Sequence, residues 1–130
     1  MATRTEMALP EARVGAVEQT GDGLRIRLDE FFLYVALTGS EQQTKWRHAG
    51  SLIFEQAEIG AAVAAGGRLA GGDIQDNATT YRDRIPLPLD SRGQVGCILR
   101  FEDGGEPIEI RATRIRLETT GERRYVGHVN

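Results

Sequence analysis

An all-β fold is predicted by two observations: apolar side chains recur along most of the chain with a period of two, and turn residues punctuate these runs at regular intervals. The expected architecture is an antiparallel β-sandwich or small β-barrel of about seven to nine short strands with hairpin connections, and at most one short helix near 57–65. Sandwich and barrel fit the pattern equally. The chain, 130 residues and 14.3 kDa, is one domain's worth of sequence, so residues 1–130 are read as a single unit.

Met1 to Pro10 has no apolar core of a leader peptide and is expected to fray. Arg13 to Gln19 reads as a strand, and Leu24, Ile26 and Leu28 alternate with Arg25, Arg27 and Asp29 in its partner. Thr20-Gly21-Asp22-Gly23 between them supplies the glycines that a tight hairpin needs. Phe31 to Leu37 offers apolar side chains to both sides, which predicts a central strand covered on both faces. Thr44 to Gln56 follows as another strand, with Trp46, His48, Leu52 and Phe54 in one phase and a bend at Gly50.

Gly60 to Gly72 contains five glycines and five alanines and is expected to be a flexible excursion; Gly60 weakens a helix over Ala57 to Ala65, and no capping box opens one. Asp73 to Arg84 reads as solvated loop with a short strand at Thr79 to Arg82. Ile85-Pro86-Leu87-Pro88-Leu89 alternates apolar residues with prolines that cannot donate to a ladder, so it is placed on an edge or rim. A turn is expected at Asp90-Ser91-Arg92-Gly93.

Val95, Cys97, Leu99 and Phe101 share one face, as do Ile108 and Ile110. With Gly104-Gly105 as a two-residue loop, Phe101 would face Ile108, Leu99 would face Ile110, Cys97 would face Ala112, and Arg100 would meet Glu109 outside. The apolar phase then moves from Ala112 to Ile115 and Leu117, which calls for a bulge at Thr113-Arg114. A turn around Thr120-Gly121 and a last strand, Arg123 to Val129, would complete the sheet.

The formal charge of -3 and pI near 5.4 deny the chain a global attraction for phosphate, so nucleic acid is disfavoured as a partner apart from any local basic face. Lys45 is the only lysine among sixteen basic residues. One cysteine, Cys97, excludes an internal disulfide, and with no leader visible a reducing, cytoplasmic location of bacterial type is expected. The longest apolar run, Phe31 to Leu37, is too short to span a bilayer.

Catalytic chemistry finds little support. Cys97 lies in the apolar phase of its strand, where a thiol is an inert core residue. No HxH, HExxH or CxxC spacing exists, Ser40, Ser51 and Ser91 lack a nucleophile-elbow context, and the glycines form neither GxGxxG nor a P-loop. Nothing therefore calls for a metal or cofactor. Asp73, Asp76 and Asp83 lack the spacing of a calcium loop. Arg82-Asp83-Arg84 and Asp90-Ser91-Arg92-Gly93 ahead of a β-meander distantly resemble the PilZ barrel, a cyclic-dinucleotide binder, but its RxxxR and DxSxxG motifs are both missing and no family is assigned.

The strongest local feature is arginine. Residues 111 to 130 carry Arg111, Arg114, Arg116, Arg123 and Arg124 against Glu118 and Glu122, a local balance of +3 in an acidic chain. Arginine's planar fork suits carboxylate and phosphate, although cross-strand ion pairs on a wet face account for the same pattern. The expected function is accordingly a soluble all-β binding or protein-interaction domain without catalytic activity. The alternative is a sensor or enzyme for an anionic small molecule or nucleotide, with its site at the barrel mouth. Arg114, Arg116, Arg123, Arg124, Trp46, His48 and Tyr81 are the candidate binding residues for a protein partner or anionic ligand. A second copy of the chain is also among the candidate partners.

Overall fold

The computed structural model describes residues 3–37, 39–60 and 66–129, and no helix occurs among them. The strands are β1 (Thr3–Thr20), β2 (Gly23–Leu37), β3 (Gln43–Glu55), β4 (Glu58–Ile59), β5 (Leu69–Asp76), β6 (Thr79–Arg82), β7 (Arg84–Leu87), β8 (Asp90–Phe101) and β9 (Ile108–Val129). They form one antiparallel sheet of nine strands in the order β6-β5-β8-β9-β3-β2-β1-β7, with β4 paired to β9. The sheet folds over one core to which β1, β2, β3, β5, β7, β8 and β9 all contribute, with Phe31, Phe54, Met7, Leu9, Ile74 and Leu99 fully enclosed.

Of sandwich and barrel, the structure takes the sandwich-like form, because the ladder does not close. Among the described residues its two ends meet through a bridge, Arg13 to Arg68, through the Arg68–Glu11 ion pair at 3.6 Å, and through Asp83. Asp83 sits between β6 and β7 at a φ of 65°, a left-handed conformation that Asp and Asn adopt more readily than most side chains. Its carbonyl accepts the Leu9 N–H at 2.8 Å, its own N–H donates to the Gly72 carbonyl at 2.8 Å, and its Oδ1 accepts the Gly72 N–H at 3.0 Å. A Cβ on Gly71 would collide with that carboxylate, and one on Gly72 with the Ile98 carbonyl, so both glycines are there to permit close approach.

Here the expectation of a flexible 60–72 fails in part. Leu69 to Gly72 belong to β5, and Leu69 is fully buried. Residues 61–65, part of the stretch 57–65 in which at most one short helix is expected, lie outside the described residues. Glu58 and Ile59 before them are strand. The N-terminus likewise departs from expectation: from Thr3 onward it is strand, paired with β2 and β7, and Met7 and Leu9 have no exposed surface. Met7 and Leu9 share a phase, which sets them into the core while β7 covers the outer edge of β1.

Long strands serve both halves of the folded sheet by bending at bulges. In β1 the register with β2 shifts between Ala8 and Arg13, and β2 shifts against β3 between Leu28 and Phe31. The expected β1–β2 hairpin is present, with Thr20 facing Gly23 and Gly21 at a φ of 61°. The edge position of Ile85 to Leu87 and the strand at Thr79 to Arg82 are also found.

The C-terminal ladder corrects the expected register. Leu99 faces Ile108, Cys97 faces Ile110 and Val95 faces Ala112, a displacement of two residues. The connection is longer than Gly104-Gly105, since Gly104 N–H donates back to Phe101 and Asp103 caps Gly105. A slip of two preserves which face each side chain takes, so the buried set is unchanged. Arg100 consequently misses Glu109, and its Nη2 instead donates to Asp73 at 2.9 Å. Asp73 is not loop but a buried residue of β5. The predicted turn at Asp90 to Gly93 is strand, and the irregularity expected at Thr113-Arg114 puts its extra residue into β8, at Gly93-Gln94 opposite Thr113. There Asn77 holds it, its Oδ1 accepting the Gln94 N–H and its Nδ2 donating to the Arg92 carbonyl.

Candidate functional site

There is no separate C-terminal hairpin. β9 runs on past Thr120 and pairs with β3 to its end, Trp46 facing Tyr125 and Gln43 facing Val129. The predicted turn becomes a bulge: Gly121, Glu122 and Arg123 together oppose the single residue His48. Gly121 takes a φ of 75° there, and its carbonyl lies 3.1 Å from His48 Nε2, which donates in the Nε2–H tautomer. His48 stacks obliquely on buried Phe31, ring centroids 6.0 Å apart. Its Nδ1 is buried with no partner among the described residues.

The bulge sets Arg123 over the indole of Trp46, 4.6 Å from the ring centroid. Trp46 shares the inward phase of Leu33 and packs against the end of the core. Its Nε1–H donates to Thr44 Oγ1 at 2.9 Å, and the Thr44 hydroxyl donates to the Val35 carbonyl at 3.4 Å. Tyr125 meets Trp46 edge-on at 5.3 Å, and His128 meets Tyr125 edge-on at 6.0 Å. An aromatic file, Trp46-Tyr125-His128, thus leads out of the core at the end of the sheet formed by β1, β2, β3, β7 and β9. Among the described residues, the large hydrophobics that stay exposed, Leu37 at 45%, Tyr125 at 52% and Val126 at 45%, all lie on strand segments of this end.

Three of the candidate residues, Trp46, His48 and Arg123, are therefore brought together, and the other four are dispersed. Arg114 forms a fork on Asp90, Nε and Nη2 donating at 2.9 and 2.8 Å, while its Nη1 donates to Glu55 at 2.9 Å. That guanidinium holds the Asp90 carboxyl below its ordinary range. Arg116 donates to Glu118 at 3.0 Å, and Tyr81 pairs opposite Ile74 and packs on the core. Arg124 faces Arg47 on the outer side. Tyr125, His128 and Leu37 are site residues that the sequence reading missed, because the pairing of β9 with β3 that assembles them is long-range.

A second concavity, of about 1080 Å³, lies on the outer side of β5, β8 and β9 and is lined by Asp73, Gln75, Gly96, Ile98, Glu109 and Arg111 among others. Of the candidate binding residues it contains none. Asp73 is occupied there by Arg100 and Arg82, whose hydrogen bonds lower its pKa against the opposing effect of burial, Arg100 contributing most. Cys97 is buried between β5 and β9, and desolvation pushes its thiol far above the ordinary range, which leaves it unreactive. Among the described residues no group of three His, Cys, Asp or Glu side chains is placed to hold a metal ion, and no helix is long and apolar enough to cross a membrane.

No protein-family model matches this chain, and no curated protein or solved structure shows significant similarity to it.

Proposed function

We propose that the protein is a non-catalytic binding module that takes a protein segment on the aromatic inner face of its open end. The observation that carries this reading is the coincidence, at one end, of the exposed large hydrophobics with Trp46 and its overlying Arg123. Trp, Tyr and Arg are the residues that dominate interface energetics, and apolar surface gathered at one place on an otherwise polar exterior marks contact sites. Arg123 and His128 beside the rings suit a partner side chain that is aromatic or aliphatic and adjoins a carboxylate. A bacterial, reducing cytoplasm is the setting proposed for it, supported by a single cysteine that is buried.

Selection of displayed peptides on the intact protein tests the reading. Trp46 is the only tryptophan, so its fluorescence reports each binder directly. Selected peptides should carry an apolar residue next to Asp or Glu and lose about tenfold or more in affinity on Tyr125→Ala or Arg123→Ala, as truncation of interface anchors does. Peptides that bind both variants as tightly as the parent would refute it. The stacked Arg123 and the unpartnered Nδ1 of His48 favour one second reading, an anionic small ligand at the same mouth. A thermal shift with anionic metabolites, abolished by Arg123→Ala, would decide for that alternative.

A further inference from the structure

The outer side of the same end carries the opposite chemistry. Side chains alternate across a strand, so where Met7, Leu33 and Trp46 point inward their neighbours point out. The ladder aligns these neighbours into rows across five strands: Arg84, Ala8, Phe32, Arg47 and Arg124 in one, and Pro86, Glu6, Tyr34, Lys45 and Gly127 in the next. Each row spans about 19 Å, four intervals of about 4.8 Å. Two half-buried aromatic rings, Phe32 and Tyr34, occupy the middle strand, with cations to either side.

The cations rest on the rings. Lys45 Nζ lies 4.0 Å over Phe32 and 5.9 Å from Tyr34, the Arg84 guanidinium lies 3.6 Å over Tyr34, and Arg47 lies 5.9 Å from Phe32. The carboxylates in reach are Glu6, 3.7 Å from Arg84, and Glu30, 3.3 Å from Arg47. Among the described residues Lys45 and Arg124 have no carboxylate partner. Four cations against two carboxylates make this face positive within a chain whose net charge is -3.

We infer that this outer face binds single-stranded nucleic acid without sequence preference. Charge complementarity requires a polyanion, and the rings select among polyanions. An acidic peptide would use the cations alone, whereas an unpaired base has a π-face for Phe32 or Tyr34 and carries its phosphate beside it. As a base takes the ring, the flexible Lys45 or Arg84 head moves off that ring to the adjoining phosphate. Duplex fits poorly, since its bases are stacked on one another and present no free face to Phe32 or Tyr34. The net charge of the chain does not oppose the inference, because screening confines the effective field to about a Debye length of roughly 8–10 Å. The inference does not depend on the partner proposed for the inner face.

Fluorescence anisotropy of a short labelled oligothymidylate with the intact protein tests it. Binding is expected at about 50 mM salt. If Lys45, Arg47 and Arg124 each neutralise a phosphate, the log–log salt slope should be about -2, so that affinity falls roughly twentyfold by 200 mM. Phe32→Ala should weaken binding by about tenfold, the loss of one stacked base. Lys45→Gln should flatten the slope by about 0.7. The unsubstituted protein supplies an independent measurement, because Lys45 carries the only lysine amine and its acetylation should be protected by the oligonucleotide. Absence of binding at low salt, or binding that leaves Lys45 unprotected, overturns the inference. So does polyglutamate competing as effectively as the oligonucleotide while Phe32→Ala has no effect, which would assign the face to acidic peptides.

Discussion

Asp83→Ala isolates one of the contacts that hold the two ends of the sheet together. The substitution removes the acceptor of the Gly72 N–H, and Gly72 is buried, so a donor is left unsatisfied at a cost of about 1–3 kcal/mol. It also places Ala at a φ of 65°, where the Cβ penalty is about 1 kcal/mol more than a short polar side chain incurs. The two backbone bonds, from Leu9 to the Asp83 carbonyl and from Asp83 to the Gly72 carbonyl, can persist in the variant. The expected loss is therefore about 2–4 kcal/mol, a large share of the 5–15 kcal/mol typical of a domain. Urea unfolding followed by Trp46 fluorescence would show it as a midpoint lowered by about 1–2 M, for a slope near 2 kcal/mol per molar. Asp83→Asn keeps both the acceptor oxygen and the tolerance of positive φ, and should stay within about 1 kcal/mol of the parent. Asp83→Gly relieves the backbone but loses the acceptor, and should fall between them. The reasoning is refuted if the Ala variant unfolds at the parent's midpoint, or if Asn costs as much as Ala.

Two further outcomes follow from the ladder. Leu99→Ala and Ile110→Ala empty buried positions and should each cost about 2–5 kcal/mol, whereas exposed Arg111→Ala should cost less than about 0.5 kcal/mol; equal denaturation midpoints would show the facing of β8 and β9 to be wrong. Asp73 has a folded-state pKa below its ordinary 3.8, so its interactions with Arg100 and Arg82 stabilise the protein fully above that value and progressively less as pH falls through the lowered one. The stability difference between parent and Asp73→Asn should accordingly shrink on acidification below about pH 4, and a difference that stays constant from neutral pH to pH 2 would contradict it.

The all-β class was legible because alternation is a local property that survives any error in long-range pairing. Leu24, Ile26 and Leu28 are buried for the reason their spacing announced, and Thr20 to Gly23 turns as its glycines require. The register of β8 on β9 was not legible, and the same alternation explains why. A shift of two residues leaves Val95, Cys97 and Leu99 inside, so burial cannot distinguish the two pairings. What distinguishes them is the loop, where Asp103 caps Gly105 and Gly104 turns back to Phe101. Gly71 and Gly72 misled in another way: composition alone reads as flexibility, while here the missing side chains admit the Asp83 carboxylate and a neighbouring carbonyl. Only the approach of a residue distant in sequence reveals that use.

The arginines show what separates a site from a run of similar residues. In the sequence, Arg114, Arg116, Arg123 and Arg124 are one basic stretch. On a strand, consecutive residues part to opposite faces, and each bulge resets which face comes next. The three-residue bulge at Gly121 to Arg123 turns Arg123 onto Trp46, while Arg124 faces Arg47 on the outer side. Arg114 is claimed by two carboxylates from β3 and β8 that are distant in sequence. Arg116 has Glu118. Charge along the chain was therefore a poor guide to charge in space: Arg114 and Arg116 brace the sheet, while the aromatic faces at the open end draw their cations from three separate strands, β3, β7 and β9. Phe32, Tyr34 and Lys45 form no group in the linear sequence, because β2 and β3 must pair, Tyr34 opposite Lys45 and Phe32 opposite Arg47, before the rings acquire their cations. A strand expected to be apolar on both sides is thus packed against the core on one face. On the other its rings are covered by the chain's only lysine and by two arginines, which leaves that face open to exchange those cations for a ligand.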